Sequence, residues 1–218
     1  MEIFKGEVYR IGPYDWRVLD VQEDKALFIW DDLYEKRAYH DPKGSVGEFQ
    51  YGSYTWEIFE LNEQPAKEKA ESVTWETCSL RKWLNGEFLR RFSEHDIEAM
   101  VETTLENKDD PHSNTKGGNS TKDKVFLLSL EEVEQYFSSD NNRVAYFDYD
   151  PANWWLRTPS SYHEGLLHAA CVEDDGSFGD NCRLAISRLG VRPAVWLDYY
   201  TAYIYEHNIE NPTIHFTV

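Results

Sequence analysis

The sequence has little of what disulfide-bonded, zinc-binding or membrane-spanning proteins need. Only three of its 218 residues are cysteines, and no two of Cys78, Cys171 and Cys182 have CxxC spacing. An odd number of cysteines without that spacing argues against a disulfide framework and against a structural zinc site. No apolar run reaches the length of about 18 residues that a transmembrane helix needs. We therefore expect free thiols and no membrane insertion.

Basic residues are also scarce, because 22 Lys and Arg stand against 40 Asp and Glu, which gives a net charge of −18. Such a surface repels phosphate backbones and anionic lipid headgroups, so we expect no nucleic-acid partner. The opening residues lack the basic region and the apolar run of a signal peptide. The sequence as written predicts a cytoplasmic protein, with a phage particle or surface display as alternatives.

Aromatic residues are abundant, with 8 Trp, 14 Tyr and 11 Phe. Each large ring can bury about 150–250 Å² of surface, so few residues suffice to build a substantial core. The composition therefore predicts one folded domain over residues 1–218.

The strand signals lie at both ends of the chain. Runs of β-branched and aromatic residues predict strands at residues 8–11, 16–19, 25–30, 154–157, 168–172 and 190–197. A polar break at residues 22–24 indicates a hairpin. Gly, Ser and Tyr dominate residues 41–54, which predicts a loop.

The middle of the chain reads as helical. Leu80, Trp83, Leu84 and Phe88 have the spacing of one buried stripe, and a helix beginning at Ser93 is expected to continue through Leu105. Residues 107–123 are the most polar stretch and predict a surface insertion loop. A strand over residues 124–129 and a Ser129–Glu132 capping box opening a short helix should follow. Together these signals predict an α+β fold with two to three helices.

Five separated phrases resemble an uncharacterised bacterial domain family common in gut Firmicutes. They are Trp16-Arg-Val-Leu-Asp20, Ser79-Leu-Arg-Lys-Trp-Leu-Asn85, Thr121-Lys-Asp-Lys-Val-Phe-Leu-Leu-Ser129, Trp154-Trp-Leu-Arg-Thr-Pro159 and Gly190-Val-Arg-Pro-Ala194. That family is similar to the superfamily of C-type-lectin-like domains and formylglycine-generating enzymes. The resemblance implies a C-type-lectin-like fold whose mixed, mostly antiparallel sheet brings the N- and C-terminal strands together. It implies no activity, because the superfamily includes enzymes, lectins and other binding proteins.

Three residues of the phrases are expected to be structural. Arg157, Arg192 and Trp155 lie in apolar strands, where a buried guanidinium needs carboxylate or carbonyl partners. We expect both arginines to tie strands to loops by hydrogen bonds, with a ligand-binding role as the alternative.

Oxidase chemistry is the catalytic alternative that the resemblance raises, since formylglycine-generating enzymes bind copper through two cysteines. Cys171 and Cys182 are the candidates here, but Cys171 reads as a small buried hydrophobe. Acidic clusters, such as Asp148 with Asp150 and Asn153, or residues 173–175, offer oxygen ligands for calcium, yet none has EF-hand spacing. We expect no catalytic residues, no metal and no cofactor, with a structural calcium ion as the alternative to solvated turns.

Two irregular segments on the C-terminal side, residues 158–165 and 173–189, have the mixed polar and aromatic composition of adaptable binding loops. We expect a non-catalytic module that recognises a protein or glycan ligand. The predicted contact residues are Tyr162, His163, Asp174, Asp175, Phe178, Asp180, Asn181 and Arg183. A structural or assembly module of a phage particle or surface protein is the second hypothesis, and it leaves oligomerisation open.

Overall fold

The computed structural model describes residues 2–40, 46–51, 54–59, 73–160, 168–179, 183–184, 187–202 and 204–206. Within them the chain is α+β, with mostly antiparallel sheets and four short α-helices. None of the helices in these ranges combines the length and the apolar character that crossing a bilayer requires.

A six-stranded sheet joins the two ends of the described chain. Its strands, in spatial order, are β17 (Ile204–Glu206), β1 (Val8–Ile11), β2 (Tyr14–Val21), β3 (Lys25–Trp30), β16 (Ala194–Asp198) and β9 (Val125–Phe126). Every neighbouring pair is antiparallel. The predicted hairpin of β2 and β3 is confirmed, and the first strand pairs directly with the last described one.

A second, five-stranded sheet contains the Trp154–Pro159 phrase at its centre. Its order is β14 (Arg183–Leu184), β13 (His168–Val172), β12 (Trp154–Pro159), β15 (Arg188–Val191) and β4 (Glu35–Ala38), with β12 and β15 parallel. The chain passes between the two sheets from β3 to β4 and again from β15 to β16. Trp30 N donates to Pro193 O at 2.8 Å and Tyr34 N to Val191 O at 2.9 Å, so the two crossings lie against each other.

The helices are short and separate. They are α1 (Ser79–Trp83), α2 (Glu94–Ala99), α3 (Leu130–Tyr136) and α4 (Asp140–Arg143), and a π-helical turn (Leu84–Phe88) and a 3-10 turn (Leu89–Arg91) extend α1. Ser129 and Glu132 form the predicted capping box at α3. Ser93 and Asp96 form a second one at α2, so both helices begin where their cap residues predict.

Hydrogen bonds join two of the five phrases, residues 79–85 and residues 121–129. Asp123, 1% exposed, accepts hydrogen bonds from Arg81 Nε at 2.7 Å and Trp75 Nε1 at 3.0 Å. The Asn85 amide donates to Val125 O at 2.8 Å and accepts from Lys124 N at 3.0 Å. The phrase of residues 79–85 therefore packs on the phrase of residues 121–129 through buried polar contacts.

Three small hairpins complete the fold, and two of them correct the sequence-based assignments. They are β5 (Val46–Tyr51) with β6 (Tyr54–Phe59), β7 (Thr103–Leu105) with β8 (Thr121–Asp123), and β10 (Tyr146–Phe147) with β11 (Asp150–Pro151). Residues 46–51 and 54 were predicted as loop but are strand. The helix predicted through Leu105 ends at Ala99, because Met100 and Val101 pair instead with β16.

The aromatic residues form the core that the composition predicts. Trp16, Trp75, Trp154 and Trp155 are all at most 1% exposed. Trp154 and Trp155 are adjacent and point to opposite faces of β12, so both faces of this central strand are covered. A strand buried on both faces reads as a continuous apolar run, and β12 is buried at every position.

Candidate recognition site

The predicted binding loops are described only in part. Asp174 and Asp175 are exposed and Phe178 is half-buried, whereas Tyr162, His163, Asp180 and Asn181 lie outside the described residues. Arg183 belongs to β14, and its side chain is not among those described. Their shared role as a contact surface therefore stays a prediction.

The described part of the segment of residues 173–189 forms a turn that contacts Arg143. Ser177 donates to the Asp175 carboxylate through its hydroxyl at 2.7 Å and its backbone N–H at 2.9 Å, which lowers the pKa of Asp175. Arg143 Nε donates to Gly176 O at 2.7 Å, and the Arg143 guanidinium lies 4.5 Å from the centre of the Phe178 ring. Gly176 has φ +85°, a conformation that favours glycine. Arg143 therefore fixes this turn to the rest of the domain through a hydrogen bond and a cation–π contact.

The buried arginines of the phrases contact main-chain carbonyls. Arg192 donates to Trp30 O at 3.0 Å and to Asp31 O at 2.6 Å, and its guanidinium lies 5.1 Å from the Trp154 ring centre. Arg157 donates to Leu127 O at 3.0 Å and forms an ion pair with Glu132. Trp155 Nε1 donates to Arg37 O at 2.8 Å. All these bonds join separate elements of the fold.

The cysteines that the structure describes are packed in the interior. Cys171 is buried, with its thiol 3.8 Å from a Glu173 oxygen. Cys182 lies outside the described residues, so the copper-binding pair is untested. Within the described ranges no three His, Cys, Asp or Glu side chains are grouped as metal ligands.

Burial raises the pKa of the Cys78 thiol to about 12 from an ordinary 9.0. We expect its alkylation by iodoacetamide at pH 8 to be about a thousandfold slower in the folded chain, because the thiolate is the reacting form. Peptide mass spectrometry after a labelling pulse measures this, with the urea-unfolded chain as the control. Equal labelling of both states would contradict the prediction.

The raised pKa of Cys78 also makes the stability depend on pH. Its contribution to the free energy of unfolding is fully present below about pH 9 and should be lost as the pH rises towards 12.

A cleft of about 690 Å³ lies between the β4–β15 edge, α1 and the β10–β11 hairpin. Among the described residues its charged lining consists of Lys36, Arg37, Arg188 and Glu35, three cations and one carboxylate, and Arg37 Nε donates to Glu35 at 2.6 Å. Of two other clefts, the one of about 570 Å³ is mainly acidic, whereas the one of about 590 Å³ has three cations and two carboxylates. In a chain with a net charge of −18, a cleft with a positive lining differs from the surrounding surface. We call it the cationic cleft.

Pairing of distant strands assembles this lining. β4 pairs antiparallel with β15, which places Lys36 opposite Gly190 and Ala38 opposite Arg188. Leu80 N donates to Tyr39 O at 3.2 Å, so the start of α1 is fixed beside the end of β4. The lining residues come from four separate parts of the sequence and are held by backbone hydrogen bonds.

Aromatic rings lie under the cations. The Arg37 guanidinium is 4.0 Å from the centre of the Trp83 ring, and Lys36 Nζ is 5.1 Å from that of Phe147. Each such contact contributes about 0.5–1 kcal/mol at an exposed site. Trp83 Nε1 is buried and has no hydrogen-bond acceptor among the described residues. The cleft thus offers positive charge on cations that already lie on aromatic rings.

The β10–β11 hairpin beside the cleft ends in an unusual turn. Asp148 has φ +53° and Tyr149 φ +72°, and the Tyr149 side chain is 98% exposed. Left-handed backbone costs a non-glycine residue about 1–2 kcal/mol, and asparagine and glycine are the usual residues in this turn. Tyr146 anchors the hairpin, since its N–H donates to Asp32 Oδ1 at 3.2 Å and its carbonyl accepts from Leu33 N at 3.1 Å. We call Asp148, Tyr149 and Asp150 the hairpin tip.

Sequence reasoning missed both the cationic cleft and the hairpin tip. Arg188 falls within the predicted segment of residues 173–189, but Lys36 and Arg37 are about 150 positions away and gave no signal. The run of aromatic and acidic residues from Tyr146 to Asp150 was visible and was assigned only to a calcium alternative. The tyrosine between two aspartates is the only feature of this run that could have drawn attention to the tip, since no glycine marks its turn.

A family model described as a domain of unknown function, DUF6273, matches residues 54–199 of the chain. No curated protein and no solved structure matches. The matched span covers more than half of the chain and includes Trp83, Phe147, Arg188 and the hairpin tip. Lys36 and Arg37 precede it.

Proposed function

We propose that this chain, which belongs to the DUF6273 family of domains of unknown function, is a non-catalytic recognition domain that binds an acidic, aromatic-bearing protein segment in the cationic cleft. One observation carries the proposal. In a strongly acidic chain, one cleft has more cations than carboxylates among its described lining residues, and two of these cations lie on aromatic rings. Cations hold carboxylates, and a cation that lies on one ring can hold a second flat side chain on its outer face, so the ligand should combine both groups.

A protein segment fits these features better than a glycan. A neutral sugar has no ionised group to match the charge of the described lining. An acidic polysaccharide would use the cations but place no aromatic ring on their outer faces. An aromatic side chain flanked by carboxylates uses both the charge and the outer faces of the stacked cations.

The C-type-lectin-like assignment belongs to the same proposal. Two features support it, namely the pairing of β1 with β17 and the passage of the Gly190–Ala194 phrase from one sheet to the other. In this fold the loops after the central strands form a ligand surface, and Arg188 links the cationic cleft to the predicted segment of residues 173–189. The loop residues Asp174 and Asp175 remain candidates for a second contact.

A short peptide with tyrosine between two aspartates tests the proposed function. We expect it to bind with a Kd in the micromolar to millimolar range, on the order of a small, weak interface. Replacing Lys36→Glu and Arg188→Glu together should weaken binding by about tenfold or more, because attraction to the carboxylates becomes repulsion. Isothermal titration calorimetry measures both affinities.

Lys25→Glu is the matched control for this experiment. Lys25 Nζ lies 5.1 Å from the centre of the Trp196 ring, so the substitution removes a similar cation–aromatic pair outside the cationic cleft. Its affinity for the peptide should equal that of the unchanged chain. Equal loss in both variants would refute the cleft as the binding site. Binding of a dextran sulfate fragment in the cleft without binding of the peptide would refute the choice of a protein segment.

A further inference from the structure

One corner of the molecule carries two complementary surfaces side by side. The hairpin tip is acidic and presents an almost fully exposed tyrosine ring. Phe147, the residue before the tip, forms one wall of the cationic cleft and lies under Lys36. An acidic aromatic projection and a basic aromatic recess therefore adjoin within a few residues.

We infer that the ligand of the cationic cleft is the hairpin tip of a second copy of this chain, in a two-fold symmetric dimer. This inference rests on the proposed function, because it names the protein segment that the cleft binds. A two-fold interface uses the same patch on both copies, so that patch must contain both complementary halves. Here the tip of each copy would enter the cleft of the other.

The chemistry of the two halves matches in charge and in shape. Asp148 and Asp150 give the tip two negative charges, and the three cations and one carboxylate of the described cleft lining leave a positive excess of two (3 − 1). Tyr149 supplies a ring for the outer faces of Arg37 and Lys36, whose inner faces lie on Trp83 and Phe147, and a hydroxyl that remains hydrated or bonded at the rim. A volume of about 690 Å³ lies in the range of pockets that hold molecules larger than one side chain.

The backbone of the tip also favours a binding role for Tyr149. Left-handed backbone at two non-glycine residues persists where a function or the surrounding structure requires it. The anchoring of Tyr146 holds the hairpin, but no described contact covers the Tyr149 side chain, which is 98% exposed. Tyrosine is a frequent central residue of interfaces, and a rigid tip loses little conformational entropy on binding.

Sedimentation equilibrium at about 0.15 M salt tests the dimer, since long-range repulsion between two chains of charge −18 is screened beyond about 8 Å there. At concentrations up to about 1 mM we expect a species of twice the 25.6 kDa chain mass. Tyr149→Ala should raise the dimer Kd by about tenfold or more. Tyr200→Ala, which removes another ring that is 63% exposed, is the matched control and should change nothing.

Charge reversal identifies the two halves of the interface. The tip variant, Asp148→Asn with Asp150→Lys, changes the tip charge from −2 to +1, and asparagine tolerates the left-handed backbone. The cleft variant, Lys36→Glu with Arg188→Glu, changes the lining from +2 to −2. Each variant alone should be monomeric, because both of its reciprocal contacts become repulsive. An equimolar mixture should form a heterodimer, because both contacts are then attractive.

Three results would overturn the inference. They are a monomeric unchanged chain at about 1 mM, a dimer that Tyr149→Ala leaves intact, and a mixture of the two reversed variants that stays monomeric. Thermal melting of each variant verifies that it is folded, and Tyr149→Ala, which lies at an exposed tip, keeps the test valid if a reversed variant is not. Peptide titration separates the two proposals: if the unchanged chain binds the peptide but stays monomeric, the cationic cleft is supported and the dimer is refuted, whereas Tyr149→Ala should bind the peptide in either case because its cleft is unchanged.

Discussion

Replacing Arg192 with methionine is expected to destabilise the fold by about 2–6 kcal/mol. The Arg192 guanidinium donates to Trp30 O and Asp31 O at the first crossing between the sheets, while Arg192 itself belongs to the second crossing. Loss of the donors leaves two carbonyls unsatisfied, at about 1–3 kcal/mol each. Since whole domains are stable by about 5–15 kcal/mol, a large part of the stability is at stake. Urea unfolding followed by tryptophan fluorescence measures the change.

Arg10→Met is the control for Arg192→Met. Arg10 pairs with Asp15 on the surface, and exposed ion pairs contribute about 0–1 kcal/mol. A small shift of the urea midpoint is therefore expected for Arg10→Met and a large one for Arg192→Met. If both variants unfolded at the same urea concentration, the crossing of the two sheets would not depend on Arg192.

Local sequence signals predicted the elements whose causes are local. The capping box at Ser129 was visible because the serine and Glu132 are three residues apart, and the reciprocal hydrogen bonds need no distant partner. The hairpin of β2 and β3 was visible because β-rich runs flank a short polar break. At these positions the sequence and the tertiary structure favour the same conformation.

Tertiary pairing overrode the sequence pattern after α2. Ile97, Met100, Val101 and Leu105 have helical spacing, yet the helix ends at Ala99. Val101 N donates to Trp196 O at 2.8 Å and Met100 forms a bridge with Leu197, so the chain joins the edge of β16 in extended form. The periodicity of four apolar residues could not reveal a strand that lies about 95 positions later.

The cationic cleft could not be predicted for a similar reason. Lys36 and Arg188 read separately as ordinary exposed charges, and only the β4–β15 register brings their strands together. The hairpin tip has no glycine, so the usual sequence signal of a left-handed turn is missing. The resemblance to a superfamily with many binding proteins favoured a recognition role, but the side chains proposed for it are identified by packing.

Replacing Glu132 with alanine is expected to destabilise the protein by about 3–5 kcal/mol. The Glu132 carboxylate pairs with Arg157, whose side chain is only 5% exposed, and it also accepts from Ser129 N at 2.8 Å. The substitution leaves a buried cation without its anion and opens the capping box of α3. Because the Glu132 side chain is 25% exposed, water can partly replace it, so the lower end of the range is expected.

Glu131→Ala separates the buried pair from the general loss of a carboxylate in the first turn of α3. Glu131 pairs with Lys108, and both side chains are more than half exposed, so its loss should cost no more than about 0.5 kcal/mol. The double variant Glu132→Ala with Arg157→Met should be more stable than the sum of its single changes, because the methionine needs no anion. Strictly additive losses in urea unfolding would show that Arg157 is stabilised by Leu127 O and its surroundings rather than by Glu132.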